Sequence, residues 1–284
     1  MSLMNLGDIS KPASALIEKI SAAVGGLLAP WQIKRVARAE AAAELIKAEA
    51  GIEIDGLRNR AIQRLIVEEA SRQENIEQIA AQAIPMLDEK ADPTSMDDDW
   101  ISNFFEKARR VSSDDMQTIW SRILAGEANA PGSFSRRTVN YLDDLDRRDA
   151  HLFQALCGFG WHIGTFRPLV FDEEAEIYNT RGITFASLKH LAGIGLLDFN
   201  SISAFSQRGV PELLVVSYQG RELALVFEGG AKKRSLNIGK VLLTQVGQEL
   251  SSVCSPEVVD GFFEYVQKRW EPHIVGSGDP GPGE

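Results

Sequence analysis

The pattern of apolar and polar positions predicts helix through most of the first half of the chain. From Pro30 the sequence is rich in alanine, glutamate, leucine, lysine and arginine, all strong helix formers, which predicts one long helix over residues 31–50. After a break at residues 51–56, apolar residues recur every four positions in two adjacent rows, which predicts an amphipathic helix over residues 57–87. The rows consist of Leu57, Ala61, Leu65, Ile62, Ile66 and Ala70.

A bundle of shorter helices is predicted next. Residues 87–99 are acidic and contain proline, which is typical of an exposed linker followed by a negatively charged helix start. Apolar residues then recur at helical spacing from Trp100, and again after the capping residues at 112–115. Ser133 or Ser135 can cap a third helix. Three short helices in succession favour a helical bundle.

The second half of the chain predicts strands between short helices. A helix that starts at Arg148 is expected to end near Gly158 or Gly160, in a glycine-containing turn that extends to Gly164. β-branched and aromatic residues are enriched at four later places, and Gln219-Gly220 predicts a tight hairpin turn. The predicted strands cover residues 166–171, 213–218, 222–227 and 236–243.

The helices between these strands complete an order that resembles winged-helix domains. Thr184 caps a short helix that stops before residues 194–197 (IGLL), and Thr244 caps another over residues 245–253. A final amphipathic helix is expected over residues 257–270. The resemblance implies DNA binding by one helix in the major groove.

These elements predict a mainly α-helical protein with a smaller α+β part. A chain of 284 residues is long enough for two domains that each bury a core. Long N-terminal helices and a helical bundle precede a C-terminal winged-helix-like domain. The predicted segments are an amphipathic N-terminal segment over residues 1–29, long helices over 30–90, the bundle over 91–146, the winged-helix-like domain over 147–270 and a disordered tail over 271–284.

The acidic balance of the chain limits its partners. A formal net charge of −10 and an isoelectric point near 5.1 disfavour broad attraction to nucleic acid or to an anionic membrane. Either partner would need a local basic patch. Six basic residues are open to two interpretations, an ordinary solvated surface or a nucleic-acid contact. They are Lys189, Arg208, Arg221, Lys232, Lys233 and Arg234.

The sequence contains no recognisable catalytic or metal-binding constellation. Cys157 and Cys254 are too few for a disulfide scaffold and too isolated for a paired metal motif, which fits structural thiols in a reducing cytoplasm. His151, Cys157 and His162 form the one close grouping of metal-ligand types, but on one helix Cys157 would point away from His151. We therefore predict a protein that is not an enzyme, with no cofactor and no metal site, and we identify no small-molecule substrate; an enzyme with an unrecognised active site is the remaining alternative.

The N-terminal segment suggests contact with a membrane surface but not passage through the membrane. Residues 1–9 lack the basic and apolar parts of a secretory signal, and no run reaches the roughly 20 apolar residues of a spanning helix. We expect a cytoplasmic protein, with peripheral contact at the inner membrane as the alternative. In residues 10–29 the apolar side chains that can share one side are Leu16, Ile17, Ile20, Val24, Leu27 and Leu28.

Three motifs resemble an uncharacterised bacterial family that is described only as a domain of unknown function. They are residues 100–105 (WISNFF), 116–127 (MQTIWSRILAGE) and 131–139 (PGSFSRRTV), and the resemblance covers most of the chain. It supplies no catalytic residue. The motif positions are candidates for either a structural role or a binding surface: Trp120, Leu124, Gly126, Glu127, Pro131, Gly132, Phe134, Ser135 and Arg137.

A further stretch, residues 28–41 (LAPWQIKRVARAEA), resembles the start of Abi-alpha proteins. That group is linked to abortive infection, in which an infected cell stops growing before phage matures. The resemblance implies a role in bacterial phage defence.

Abundant amphipathic helix without recognisable chemistry favours a non-enzymatic interaction or assembly protein. The N-terminal helices would form a homo-oligomer or bind a protein partner, and the C-terminal domain would provide a second recognition surface. One alternative is a DNA-binding regulator that uses the basic residues around the predicted wing. Another is an effector that contacts a membrane through residues 10–29.

Overall fold

The structure is a computed structural model that describes residues 10–24 and 56–274. The chain falls into two compact units, the first ending at Asp144 and the second beginning at Leu145. Where described, the first unit is helical and the second combines helices with short antiparallel strands. The mixed and largely helical character predicted from the sequence is confirmed. The predicted helix over residues 31–50 lies outside the described residues.

Side-chain caps define the starts of several helices in the first unit. Asp97 accepts a hydrogen bond from the Trp100 amide at 2.7 Å, and Ser135 accepts one from the Thr138 amide at 3.3 Å. Such caps satisfy amides that have no partner within the helix. The helices are α1 (Lys11–Ala23), α2 (Gly56–Ala83), α3 (Asp98–Ala108), α4 (Asp114–Asn129) and α5 (Arg136–Asp143), with 3-10 turns at Ile84–Met86 and Pro93–Ser95.

The first unit is built around the packing of α2 on α4. Ile76, Ile79 and Ala83 in the last turns of α2 are buried. The Nε2 of Gln117 on α4 donates to the Oδ1 of Asn75 on α2 at 3.3 Å, so the contact also contains a buried polar link. α2 and α4 thus share one core across the residue-90 boundary that the sequence suggested.

The second unit joins short helices to three small antiparallel sheets. The sheets have the strand orders β2-β1-β5-β6, β3-β8 and β4-β7. The elements are α6 (Arg147–Cys157), β1 (Gly160–Ile163), β2 (Thr165–Pro168), α7 (Glu176–Asn179), α8 (Phe185–Gly193), β3 (Leu197–Phe199), β4 (Phe205–Arg208), β5 (Leu213–Tyr218), β6 (Arg221–Val226), β7 (Ser235–Gly239), β8 (Val241–Leu243), α9 (Gln245–Ser251) and α10 (Phe262–Arg269), with 3-10 turns at Ala231–Lys233 and Glu271–His273.

The hairpin predicted at Gln219-Gly220 is confirmed. Tyr218 pairs with Arg221, which leaves Gln219 and Gly220 as a two-residue turn between β5 and β6. Their φ angles are 48° and 81°, and positive φ at both positions is the geometry of a type I′ turn, whose twist matches that of the strands.

The predicted turn at Gly158, Gly160 and Gly164 is wrong at its centre. Gly160 begins strand β1 and pairs with Pro168 of β2. A Cβ atom at Gly160 would lie 1.9 Å from the ring of Phe166, so this glycine permits close packing rather than a turn. The turn itself lies at Gly164, where φ is 74°.

The single strand predicted over residues 236–243 is in fact two strands. β7 ends at Gly239, where φ is 82° and a Cβ atom would lie 2.5 Å from the carbonyl oxygen of Val170. The amide of Lys240 then donates to that same oxygen at 2.7 Å. This contact redirects the chain before β8.

The predicted disordered tail does not begin at residue 271. Glu271–His273 is a 3-10 turn, and Ile274 forms a β-bridge with Leu225. Residues 275–284 lie outside the described part of the chain.

Tyr218 links three segments of the second unit. Its hydroxyl donates to the Gly158 carbonyl at 2.9 Å and accepts from the Val259 amide at 2.9 Å. The ring stacks against Trp161. Burial raises the pKa of Tyr218, so the hydroxyl stays protonated and keeps its donor role. The end of α6, strand β5 and the segment before α10 are therefore held together by one side chain.

Replacing Gly247 of α9 with alanine is expected to destabilise the second unit. A Cβ atom there would lie 2.0 Å from the Leu196 carbonyl oxygen, which also accepts from the Thr244 amide at 3.1 Å. We expect the free energy of unfolding in urea to fall by about 1–3 kcal/mol, as overpacking usually costs. The control is Gly193→Ala, because Gly193 ends α8 with nothing within 4 Å of its Cβ position. Equal stabilities of the two variants would contradict the contact.

Candidate interaction surfaces

A buried glutamate holds the loop over residues 130–135, here called the α4–α5 loop. Glu127, in the last turn of α4, is 2% exposed. One carboxylate oxygen accepts from the Gly132 amide at 2.7 Å, and the other accepts from the Phe134 amide at 2.9 Å. Charge-assisted bonds to amides are stronger than neutral ones. The carboxylate therefore fixes the shape of this loop.

Aromatic packing fixes the same loop from its other side. The indole Nε1 of Trp100 donates to the Phe134 carbonyl at 2.7 Å. The Phe134 ring covers Gly126, where a Cβ atom would lie 2.7 Å from the ring. Trp100 also stacks on Phe104, which contacts Trp120 edge to face. The loop is thus continuous with the core of the first unit.

The motif positions divide between this core and its surface. Trp120, Leu124 and Phe134 are buried, and Ser135 caps α5. The residues that remain exposed at the surface are Pro131, Gly132 and Arg137. Trp100 belongs to one of the three motifs but was not chosen as a candidate residue. Its indole bonds to Phe134, a contact between positions far apart in sequence that no local pattern indicates.

An open cleft of about 500 Å³ lies beside the α4–α5 loop. Asp97 and Glu127 line it, but both carboxylates accept backbone amide hydrogen bonds. Asp99 and Arg136 also line it and form a long ion pair at 3.9 Å. The observed role of Asp97 and Glu127 is therefore to hold the backbone.

The N-terminal two thirds of α2, residues 56–74, form an exposed helical segment, here called the α2 arm. Leu57 and Leu65 are 64% and 60% exposed and Ala61 is exposed as well, whereas Ile62 and Ile66 of the second row are half-buried. The first buried residue of the helix is Asn75. The first of the two predicted rows, Leu57, Ala61 and Leu65, is thus present on a helix and exposed; it is here called the apolar row. Isolated apolar side chains are common on surfaces, whereas a row of them at helical spacing is typical of a contact surface.

Ion pairs along the α2 arm stabilise it as a helix. Arg64 lies 3.4 Å from Glu68, and Arg72 lies 3.5 Å from Glu68 and 3.6 Å from Glu69. Pairs at this spacing contribute about 0.2–0.5 kcal/mol each in isolated helices. The arm can therefore stay helical while its apolar row is exposed.

Four of the six candidate nucleic-acid contacts lie near one end of the β4–β7 sheet. Arg208 ends β4, and the Gly209 amide next to it donates to the Arg234 carbonyl at 2.9 Å. Lys233 ends the 3-10 turn directly before Arg234. Lys232 belongs to the same turn. This end of the sheet is a local basic patch on an acidic chain.

The other two candidates are engaged within their own unit. Arg221 lies 2.9 Å from Glu264 and 3.7 Å above the ring of Phe263. Lys189 lies 5.5 Å above the ring of Phe199. These contacts are with residues outside the β4–β7 sheet, so they do not place Arg221 or Lys189 in the basic patch.

The two cysteines are neighbours, which the sequence did not indicate. Both are free thiols, and Cys157 is buried. Burial raises the pKa of the Cys157 thiol well above its usual value, and a hydrogen bond with the Cys254 thiol raises it further. Their separation along the chain leaves no local signal for this contact. Within residues 10–24 and 56–274, no group of three or more metal-ligand side chains could hold a metal ion.

The apolar side of α1 is packed inside the first unit. Leu16 and Ile20 have no exposed surface, and α1 contacts α3. Membrane contact through these side chains would require α1 to leave that position. Leu27 and Leu28, which the hypothesis also uses, lie outside the described residues. No described helix combines the length and apolarity needed to cross a membrane.

Comparison with known proteins found one family. A sequence model of the family described as "Protein of unknown function (DUF2806)" matches residues 59–267. The search of curated proteins and the search of solved structures each found no match. The family match does not include residues 28–41, so the Abi-alpha resemblance stays a prediction.

Replacing Glu127 with alanine is expected to destabilise the first unit. The substitution leaves the buried amide of Phe134 without its acceptor, which costs about 1–3 kcal/mol, and removes the bond to the part-buried amide of Gly132, which costs about 0.5–1.5 kcal/mol because water can replace it. We expect the free energy of unfolding to fall by about 2–4 kcal/mol, with faster hydrogen exchange at both amides. Glu106→Ala is the control, since its 2.6 Å pair with Arg109 is exposed and such pairs are worth about 0–1 kcal/mol. Unchanged amide exchange in Glu127→Ala would contradict this role.

Proposed function

The chain belongs to the DUF2806 family, and we propose that it is a non-enzymatic interaction protein that contacts another protein chain through the α2 arm. The supporting observation is the exposed apolar row of that arm, in which Leu57 and Leu65 are both more than half exposed. Burying a leucine side chain stabilises a complex by about 1.5–3 kcal/mol relative to leaving it in water. A helix that lays its apolar face on a partner is a common mode of recognition.

The fixed end of α2 supports the same proposal. Because Ile76, Ile79 and Ala83 anchor the helix in the core, the arm continues a helix that is already nucleated. A partner would then bind a helix that is already formed, and the ordering cost of binding would be small.

The cellular setting of phage defence rests on residues 28–41 alone. Plaque counts on cells with and without the chain test it, and equal counts would remove that setting.

Site-specific photo-crosslinking in cells tests the contact. A photoreactive phenylalanine analogue at Ala61, on the apolar row, is expected to give a crosslinked species of higher mass. The same analogue at Gln63, which lies on the opposite side of the helix, is the control and is expected to give far less. Both positions are exposed. Equal yields at the two positions, or no crosslink at Ala61, would contradict a contact through the apolar row.

A second candidate function, DNA binding by the second unit, is favoured by the basic patch at the end of the β4–β7 sheet. We propose for it a winged-helix-like arrangement, in which α8 is the recognition helix and β3 and β8 flank an enlarged wing. β3 pairs with β8 over residues 197–199 and 241–243, with β4 to β7 between them in sequence. Lys189 would be the cation that α8 brings to a phosphate.

Fluorescence anisotropy with a short labelled duplex tests this second candidate. Binding is expected to weaken as salt rises, and Lys232→Ala with Lys233→Ala is expected to weaken it further and to reduce the salt dependence, because each lost phosphate contact removes counterion release. The control, Lys11→Ala with Lys90→Ala, removes the same number of positive charges from the first unit and is expected to leave DNA binding nearly unchanged. The absence of binding at low salt would contradict DNA recognition.

A further inference from the structure

The α2 arm is positively charged in its first part and negatively charged in its second part, and the negative part continues into the next helical turn. Residues 56–67 contain three arginines and no carboxylate, whereas residues 68–77 contain four glutamates and one arginine. That arginine, Arg72, lies 3.5 Å from Glu68 and 3.6 Å from Glu69, so its charge is balanced within its own helix. α2 therefore has a positive beginning and a negative middle along its exposed length.

This separation of charge decides how two copies of the arm could lie side by side. In a parallel pair, Arg58 would lie level with Arg58 of the second copy, and Glu68 level with Glu68. Like charges would face each other along the whole contact, which disfavours that arrangement. In an antiparallel pair, the arginine half of each copy faces the glutamate half of the other.

The positions around the helix fit the antiparallel arrangement. Arg58 and Glu69 are eleven residues apart, close to three full turns, so they lie on the same flank of the apolar row. Arg64 and Glu68, whose charged groups are 3.4 Å apart, lie together on the Leu57 side of the row, with Glu68 nearly in line with Leu57 because eleven residues separate the two. In antiparallel helix pairs the same flanks of the two helices become neighbours. In a pair centred on Leu65, Arg58 would lie about 4.5 Å along the axis from Glu69 of the second copy, and Arg64 about 3 Å from Glu68, within reach of these long side chains. Arg72, which lies level with Arg58, is paired with Glu68 and Glu69 of its own helix.

We propose that the α2 arm is a self-association surface on which a second copy of this chain docks antiparallel, with the two Leu65 side chains near the symmetry axis. This proposal rests on the proposed function, in which the arm contacts another protein chain, and it names that chain. We choose a second copy as the partner because, when two arms lie antiparallel, the positive part of each arm lies beside the negative part of the other. An isologous contact of this kind closes a dimer.

Distances between spin labels on the full-length protein test the arrangement. Labels are placed at Gln63 in one variant and at Gln78 in another, with Cys254→Ser to remove the accessible thiol, since Cys157 is buried. At a rise of 1.5 Å per residue, an antiparallel pair centred on Leu65 separates the two labels by about 6 Å along the axis at residue 63 and by about 39 Å at residue 78. A parallel pair gives the same distance at both positions.

A short distance at Gln63 with a long one at Gln78 is the expected result. Equal distances would overturn the antiparallel arrangement and leave the proposed function standing. The absence of any distance between copies would overturn self-association. A crosslink from Ala61 to a different protein would then still support the proposed function, whereas no such crosslink would remove both.

Charge reversal supplies an independent test by sedimentation. Arg58→Glu with Arg64→Glu is expected to weaken the dimer at least about tenfold, because it places carboxylates against Glu68 and Glu69. Mixing this variant with Glu68→Lys and Glu69→Lys in a second chain is expected to restore association. Lys232→Glu with Lys233→Glu makes the same charge change in the second unit and should leave the dimer unchanged. Unaltered association of the arginine variant would contradict the role of charge, and circular dichroism checks that each variant is folded.

Discussion

The anchoring of the last turns of α2 against α4 is the contact on which the rest of the first unit depends. Ile76, Ile79 and Ala83 bury their side chains there, and Asn75 exchanges polar contacts with the neighbouring helices. A free helix of the arm's length would be marginal in water, because nucleation is unfavourable. The anchored turns supply that nucleus, and the exposed part continues from it. The same contact thus builds the core and presents the apolar row.

The free energies of burial and association explain why charge influences association through the α2 arm. Burying Leu57 and Leu65 of two copies would contribute about 4–7 kcal/mol, because full burial of a leucine is worth about 1.5–3 kcal/mol and only 64% and 60% of these residues is still exposed. The loss of translational and rotational freedom costs about 4–15 kcal/mol. Because the apolar gain does not greatly exceed this cost, ion pairs between the arms, at about 0–1 kcal/mol each, contribute to the strength of the contact and favour one orientation. Association is accordingly expected to depend on salt.

Local signals in the sequence predicted the elements well, and contacts between distant residues were not predictable. The turn at Gln219-Gly220 depends on neighbouring residues alone, so the sequence was sufficient for it, whereas the sequence offered Ser133 or Ser135 as the cap of α5 and the structure has Ser135. The contact between Cys157 and Cys254 depends on tertiary packing, as does the close approach that requires glycine at position 160. A glycine that permits packing and a glycine that makes a turn look the same in sequence.

Periodicity has a further limit that α1 and α2 illustrate together. Both helices carry an apolar side at helical spacing, yet Leu16 and Ile20 of α1 are completely buried while Leu57 and Leu65 of α2 are exposed. The pattern shows that a side must be covered, and it does not show what covers it. For α1 the cover is the core of its own unit, and for the α2 arm we propose a second copy.

The mass of the full-length protein in solution, measured by light scattering over a range of concentrations, tests the central claim most directly. The wild-type chain is predicted to approach twice its 31.2 kDa mass as concentration rises, and a chain with Leu57→Gln and Leu65→Gln is predicted to stay monomeric. The exposed Ile202, changed to glutamine, is predicted to leave the dimer intact. A wild-type chain that is monomeric throughout, or a dimer that survives loss of both leucines, would contradict self-association through the α2 arm.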